Sequence, residues 1–362
     1  MAMSSKSAIS LLIGGAVSLV ALYWAFRHVP LHELATYLQS MNYAWIAPAV
    51  VIVVLSFVLR VIRWQVLLSA SGRIPFWHVF HPLMIGFMVN CVLPGRVGEL
   101  VRPAILSQKN KIPYPTGLAT VVAERIYDTL TLLALLMAVV VWAPINPDAR
   151  VQFGAYRLSA DMLRLTAQSV AALSAVLVLG TVMLSSDRLR GWIQGLIGKI
   201  PGVLRRWGKQ WEYRCQRWFA DPLSRALDTA ANGLATIKDP RKVLTCIALS
   251  LGNWLLLGLS YYLVALGAPG IGLSYFDLLT VMIIICFFIA LPSVPGYWGL
   301  WEAGGVFALA LFGVSAQPAA GYTLANHGVQ VIPVMIIGFC SLWITGVSLK
   351  MGISGDGSLA RQ

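Results

Sequence analysis

The sequence predicts an all-α, polytopic membrane protein of about 6–8 transmembrane helices, with two re-entrant, broken hairpins arranged as an inverted repeat. Three observations carry this. First, the 362 residues are 58% hydrophobic and only 11% charged, with mean hydropathy +0.75, whereas a soluble domain carries about 25% charged residues. Second, several apolar runs reach the roughly 18–20 residues that cross a ~30 Å hydrocarbon core. Third, two apolar segments are each interrupted by a Pro-Gly pair beside charged residues, at Pro94-Gly95 and Pro295-Gly296.

Spans follow from apolar length, and orientation from the Lys and Arg residues in the connections. The first span is Ala8–Phe26, too long for a signal-peptide core and so read as retained. Leu31–Met41 reads as a short interfacial helix, and Tyr43–Ile62 as the second span. Arg60, Arg63 and Arg73 put the end of that span on the cytoplasmic side. The first broken hairpin, within residues 76–107, has basic residues on both flanks, so it enters from the cytoplasm and returns there. Long spans follow at Thr116–Trp142 and Leu165–Leu184, separated by an outer loop. Residues 187–242 carry 12 Lys or Arg against 5 Asp or Glu, a cytoplasmic insert facing anionic headgroups. Within it Leu204, Trp207, Trp211, Cys215 and Trp218 recur at spacings of 3, 4, 4 and 3. That spacing describes one helical face, lying on the membrane or packed on neighbouring helices.

The last third repeats the theme. A span at Val243–Leu266 precedes the second hairpin, residues 276–313, and a final span covers Ala319–Leu349. The connections Gly267–Tyr275 and Ser315–Ala320 contain no Lys or Arg, so this hairpin opens to the outside. A single transmembrane domain is thus expected over residues 1–350, with a first repeat at 43–142, a second at 243–349 and a short tail at 351–362. Both termini are expected in the cytoplasm and the protein in the cytoplasmic membrane.

The formal charge of +13 does not indicate nucleic acid, because the basic residues sit mainly in loops between spans. The five scattered cysteines show no CxxC spacing, which supports neither a disulfide framework nor a zinc site. His78 and His81 could share a metal by spacing, or be interfacial histidines beside Trp77; no carboxylate completes a site. No metal and no cofactor are expected.

The two hairpins align. Phe76 leads to Pro94-Gly95-Arg96-Val97-Gly98-Glu99, and Phe276 to Pro295-Gly296-Tyr297-Trp298-Gly299-Leu300-Trp301-Glu302. Counting 26 residues from Gly98 reaches Glu124-Arg125-x-x-Asp128, and the same count from Gly299 reaches Ala325, beside Asn326 and His327. Oppositely inserted repeats with discontinuous helices are a recurring transporter plan.

Pro and Gly stop a helix, and in lipid the freed backbone groups need protein or water. The expected breaks are Pro94, Gly95 and Gly98, then Pro292, Pro295, Gly296 and Gly299. Polar residues are supplied near them: Asn90, Arg96, Glu99 and Arg102 at the first, Glu302 at the second. Glu124 and Asp128 share one face of a span, with Arg125 beside it. Each such charge costs roughly 2.5–3.5 kcal/mol at the bilayer centre, so they should face inward and pair with Arg96, Arg102, Arg60 or Arg63. Two readings stay open: an ion-pair lock between helices, or a polar cavity that receives a lipid headgroup. In the second, Asn90, Glu99, Glu124, Asp128, Glu302, Arg60, Arg63, Arg96, Arg102 and Arg125 receive the headgroup, the arginines clamping its phosphate. Asn326 and His327 are candidates for a polar or proton-handling role.

These motifs resemble one family. Arg60-x-x-Arg63-Trp64, Asn90-x-x-x-Pro94-Gly95-Arg96-x-Gly98-Glu99-x-x-Arg102, Glu124-Arg125-x-x-Asp128 and Pro292-x-x-Pro295-Gly296-x-x-Gly299-x-x-Glu302 resemble the flippase-like transmembrane domain of lysylphosphatidylglycerol synthases (the MprF proteins). The stand-alone relatives of that domain, hopanoid-associated and archaeal glycosylation-associated members among them, are similar too. The resemblance implies a lipid translocase. It does not imply synthase activity, because only Met351–Gln362 follow the last span. The expected function is therefore movement of a headgroup-bearing, phosphate-containing lipid between leaflets, by a protein that is not itself an enzyme. Its partners are membrane lipids of anionic, polyprenyl or hopanoid type, and a separate lipid-synthesising enzyme. No Walker motif is present, so ATP does not drive transport directly. The competing classes are a membrane-embedded enzyme acting on a lipid carrier and an accessory subunit of a lipid pathway.

Overall fold

Backbone polar groups in hydrocarbon must be satisfied within their own segment, so apolar length becomes helix. The computed structural model describes residues 5–27, 29–110, 112–142, 151–153, 156–158, 186–204, 208–222, 239–290 and 294–347, with isolated positions 172, 179, 224, 225 and 228 between them. Helix α1 covers Ser5–Phe26 and α2 covers Leu31–Ser40. Then come α3 (Ile46–Leu68), α4 (Phe76–Val92), α5 (Gly98–Asn110) and α6 (Tyr114–Trp142). A small antiparallel pair, β1 (Val151–Phe153) and β2 (Tyr156–Leu158), sits in the connection after α6 and is the one departure from helix among the described elements. Helices α7 (Asp187–Leu204) and α8 (Lys209–Cys215) form the basic segment. The chain continues through α9 (Pro240–Leu266), α10 (Tyr275–Phe288), α11 (Leu300–Leu311) and α12 (Ala316–Thr345).

Among the described residues, three helical stretches are both long and apolar enough to cross a bilayer: Tyr43–Ser71, Pro240–Leu266 and Ala316–Thr345. The 29 residues of α6 have the length but carry Glu124, Arg125 and Asp128. The expected span at Leu165–Leu184 and the tail after residue 347 lie outside the described residues. Helix α12 shows how a span divides its faces. Ile332, Ile336, Phe339 and Trp343 recur at spacings of 4, 3 and 4 and are exposed, the pattern of a lipid-facing stripe. Asn326, His327, Val334 and Ser341 point inward.

Helix α3 lies along α9, and the two share a core in which Val53, Phe57, Trp254, Leu257 and Tyr261 meet Met84 and Met282. Helix α4 doubles back on α5 and also packs against α12, and α10 doubles back on α11. Small residues permit these approaches. A Cβ on Gly98 would run into the Gly86 carbonyl, and one on Gly338 would meet Met88. The short helix expected at Leu31–Met41 is α2; it buries Leu34 and Tyr37 and packs on α12, with the Tyr37 hydroxyl donating to the Pro269 carbonyl at 2.8 Å.

The two breaks share a backbone conformation. Gly95 (φ 78°) and Arg96 (φ 55°) form consecutive left-handed residues, and so do Gly296 (φ 73°) and Tyr297 (φ 62°). Glycine takes this conformation freely, whereas Arg and Tyr are strained in it. The breaks touch: α4 packs against Pro295–Tyr297, and Arg96 Nη2 donates to the Ile289 carbonyl at 3.0 Å. Pro292 lies outside the described residues. The first hairpin runs to Asn110 and the second spans Tyr275–Leu311, each shifted slightly from the sequence boundaries.

The single helical face expected over Leu204–Trp218 is interrupted. Gly208 takes φ 120° and caps α8, and a π-helical turn follows at Gln216–Ala220. Trp207 lies outside the described residues, while Trp211 and Trp218 are exposed.

Gly98→Ala forces backbone against backbone, an overpacking cost of about 1–3 kcal/mol. Gly191→Ala, in α7 with open space around it, should leave stability unchanged or raise it by about 0.5–1 kcal/mol. Thermal unfolding in detergent distinguishes the two.

Candidate functional site

Arginines from α3 and α5 converge on the carboxylates of α6. Glu124 and Asp128, one helical turn apart, face the same way. Arg63 reaches both: Nη2 lies 3.0 Å from Glu124 Oε1 and Nη1 lies 2.5 Å from Asp128 Oδ1. Its Nη1 also donates to Ser250 Oγ of α9 at 2.6 Å. Arg102 closes the far side, with Nη2 2.8 Å from Glu124 Oε2 and its guanidinium over the Trp64 ring at 4.9 Å. The Trp64 indole in turn donates to Thr120 Oγ1 at 2.9 Å. Arg63, Arg102, Glu124 and Asp128 are all buried. Four helices are thereby fastened by charges that find partners inside the protein, as insertion into oil requires.

A cavity of about 480 Å³ opens beside this cluster. Its wall draws on both hairpins: Phe87, Asn90, Cys91, Arg96 and Glu99 from the first, and Met282, Cys286, Tyr297 and Trp301 from the second. Helices α3, α6, α9 and α12 contribute Arg60, Arg125, Asp128, Trp254, Tyr261 and Gln330, with Leu132, Leu257 and Val334 supplying apolar wall. The charged groups here are loosely held. Arg125 lies 3.8 Å from Glu99 and 3.4 Å from Asp128, and Arg96 lies 4.0 Å from Glu99. The side chains of Arg96, Glu99 and Arg125 remain 25–40% exposed. Asn90 Oδ1 accepts from Gly98 N at 2.7 Å, satisfying a backbone donor freed by the first break.

Glu302 does not reach the cavity. Its Oε2 accepts from Gly299 N at 2.7 Å, closing the start of α11, and its Oε1 meets His327 Nδ1 at 2.5 Å. His327 Nε2 faces the Gly296 carbonyl at 2.9 Å, which is an acceptor, so Nε2 carries a proton. Trp301 stacks on the imidazole at 4.6 Å and Trp298 lies 4.5 Å away. This bolt ties the second break to α12. Asn326 is fully buried next to it.

Of the residues singled out in the sequence, Arg60, Asn90, Arg96, Glu99, Arg125 and Asp128 line one cavity. Arg63, Arg102, Glu124 and Glu302 stand behind the wall because each is consumed by a buried partner. His78 and His81 turn to different partners, Asn110 Oδ1 and Ser341 Oγ. Trp254, Tyr261 and Ser250 were not anticipated. Their signal is a polar and aromatic stripe on one face of an apolar span: Ser250, Trp254, Leu257, Tyr261.

Fold and site together define a polytopic membrane protein with an internal charged cavity between two broken hairpins. Residues 11–338 match the family described as "Lysylphosphatidylglycerol synthase TM region", and the chain belongs to that family. The membership ties it to membrane-lipid function. The chain is similar to the glycosyltransferase AglD of Haloferax volcanii, with 25% identity over 377 residues, covering 95% of this chain and 56% of that protein. It thus spans little more than half of that relative. It is also similar to a UPF0104 membrane protein of Methanothermobacter thermautotrophicus, with 23% identity over 351 residues, covering 96% of this chain and 98% of that protein. The name of the first relative corrects the expectation that the chain is not an enzyme. A relative matched along 95% of this chain is named a glycosyltransferase, and the expectation does not stand.

Arg63→Ala removes the buried guanidinium that bridges Glu124 and Asp128, leaving them to Arg102 and Arg125, and should destabilise the protein by about 3 kcal/mol. Arg96→Ala removes a half-exposed partner and should cost under about 1 kcal/mol. Denaturation in detergent micelles reads both.

Proposed function

We propose that the protein moves a headgroup-bearing, phosphate-containing lipid between membrane leaflets, with the headgroup in the cavity and the tail in surrounding lipid. The observation that carries this reading is the composition of that cavity. Half-exposed Arg96, Glu99 and Arg125 share it with apolar side chains; of the four charges that hold the helices together, Asp128 reaches its wall while Arg63, Arg102 and Glu124 stand behind it. Moving a polar headgroup through hydrocarbon is slow because its hydration must be stripped. Fixed charges and freed backbone groups at two breaks would replace that water.

On this reading the hairpins are re-entrant and oppositely inserted, the first open to the cytoplasm and the second to the outside. Support comes from the charge bias of the connections and from the shared left-handed pair at Gly95-Arg96 and Gly296-Tyr297. The protein resides in the cytoplasmic membrane with both termini inside, and the basic segment faces anionic headgroups. Its substrate is made by a separate lipid-synthesising enzyme, and transport runs downhill or coupled to an ion.

A second reading is favoured by one observation, the glycosyltransferase name of the Haloferax relative. The chain would then act in a membrane-embedded step on a lipid carrier. Incubating purified protein with a polyprenyl phosphate and nucleotide sugars, and looking for a glycolipid product, tests it directly.

Translocation is tested in proteoliposomes by the leaflet exchange of fluorescent phosphatidylglycerol and polyprenyl phosphate. Wild type should accelerate exchange over protein-free vesicles, and Glu99→Gln or Arg125→Gln should slow it by about tenfold or more, the loss of one charge-assisted contact. Acceleration of neither lipid would overturn the proposal.

A further inference from the structure

We infer that Arg60 is the oxyanion anchor of the cavity, a site for one phosphate group held in line with an aromatic clamp. This rests on the cavity being the path of the lipid headgroup, but the binding it predicts can be measured without transport.

Five arginines gather here, Arg60, Arg63, Arg96, Arg102 and Arg125, against three carboxylates, Glu99, Glu124 and Asp128. The carboxylates are already engaged. Glu124 is shared by Arg63, Arg102 and Arg125, Asp128 by Arg63 and Arg125, and Glu99 by Arg96 and Arg125. Among the described residues Arg60 has no ion pair. It stands one turn before Arg63 on α3, half-buried in the cavity wall. What holds it is two rings: its guanidinium lies 5.4 Å from the centre of Phe87 and 5.7 Å from that of Trp254.

A cation between aromatic faces is oriented without being neutralised. An unneutralised guanidinium in a low-dielectric wall favours a counter-anion, and its planar fork matches two phosphate oxygens at once. The carboxylates of the wall are taken up by other arginines, whereas two donors beside Arg60 are not taken up at all. Trp254 and Trp301 line the same cavity, each only 8% exposed, and each keeps its indole N–H without a partner. Asp128, which lines the same cavity, is held by Arg63 and Arg125. A ligand rich in acceptors and carrying negative charge fits; a neutral or cationic group leaves Arg60 unmatched. The same chemistry would be met by a lipid phosphate or by free phosphate.

The test is native mass spectrometry of the whole protein released from micelles, after equilibration with phosphatidic acid, with diacylglycerol of the same chains, or with inorganic phosphate. Wild type should retain phosphatidic acid over diacylglycerol by tenfold or more. Arg60→Gln should abolish that preference. Arg60→Lys, which keeps the charge and guards against a folding defect, should lose most of it, since lysine offers no planar fork. Displacement of phosphatidic acid by millimolar inorganic phosphate in wild type alone supports the site with the free anion as ligand. Equal retention of the two lipids by wild type, or an undiminished preference in both Arg60 variants, would overturn the inference.

Discussion

Everything in this structure depends on placing charge inside an apolar body without leaving it alone. Glu124 is the clearest case. Its two oxygens are held by Arg63 and Arg102 from different helices, and Asp128 one turn below shares Arg63. Isolated, any of these groups would be neutralised or expelled. Assembled, they fix how α3, α5, α6 and α9 meet. Hydrophobic burial drives little of that choice, since lipid tails are as apolar as the helix faces they touch. The ionic cluster therefore sets the arrangement, and apolar packing fills in around it.

Once that demand is met, the remaining charges are free for other work. Arg96, Glu99 and Arg125 lie at longer distances and keep part of their surface open, and Arg60 is held by rings rather than carboxylates. The breaks obey the same logic from the backbone side. Asn90 satisfies Gly98, Glu302 satisfies Gly299, and His327 takes up the Gly296 carbonyl. Each helix interruption is closed on one side by a side chain, leaving the other side to the cavity.

Much of this was legible in the sequence because charge within an apolar run is rare and has to be explained. The breaks and the α6 triad follow from that rule alone, as does the need for arginine partners; which of Arg60, Arg63, Arg96 and Arg102 serve came only with the structure. What was not legible is the division of labour. Arg60 and Arg63 look alike at a spacing of three, yet one faces rings and the other carboxylates, a difference set by where α4 and α9 cross α3. Glu302 was expected in the cavity, but its position three residues after Gly299 lets it cap its own helix and meet His327. Gly208 broke the tryptophan face because periodicity records side chains and is blind to a left-handed backbone residue. The small β pair after α6 gave no periodic signal at all, being three residues a strand.

On the proposed reading the two hairpins enclose a wet passage within the membrane-embedded body. Two native cysteines report on it from opposite sides: Cys91 on the first hairpin and Cys286 on the second both line the cavity, while Cys246 is fully buried away from it. Single-cysteine variants in lipid bilayers, exposed to a small, charged, membrane-impermeant methanethiosulfonate, give the direct measurement. Labelling at Cys91 and Cys286 with Cys246 inert is the predicted result. Inertness at all three would mean that water does not enter between the hairpins, and the account would fail.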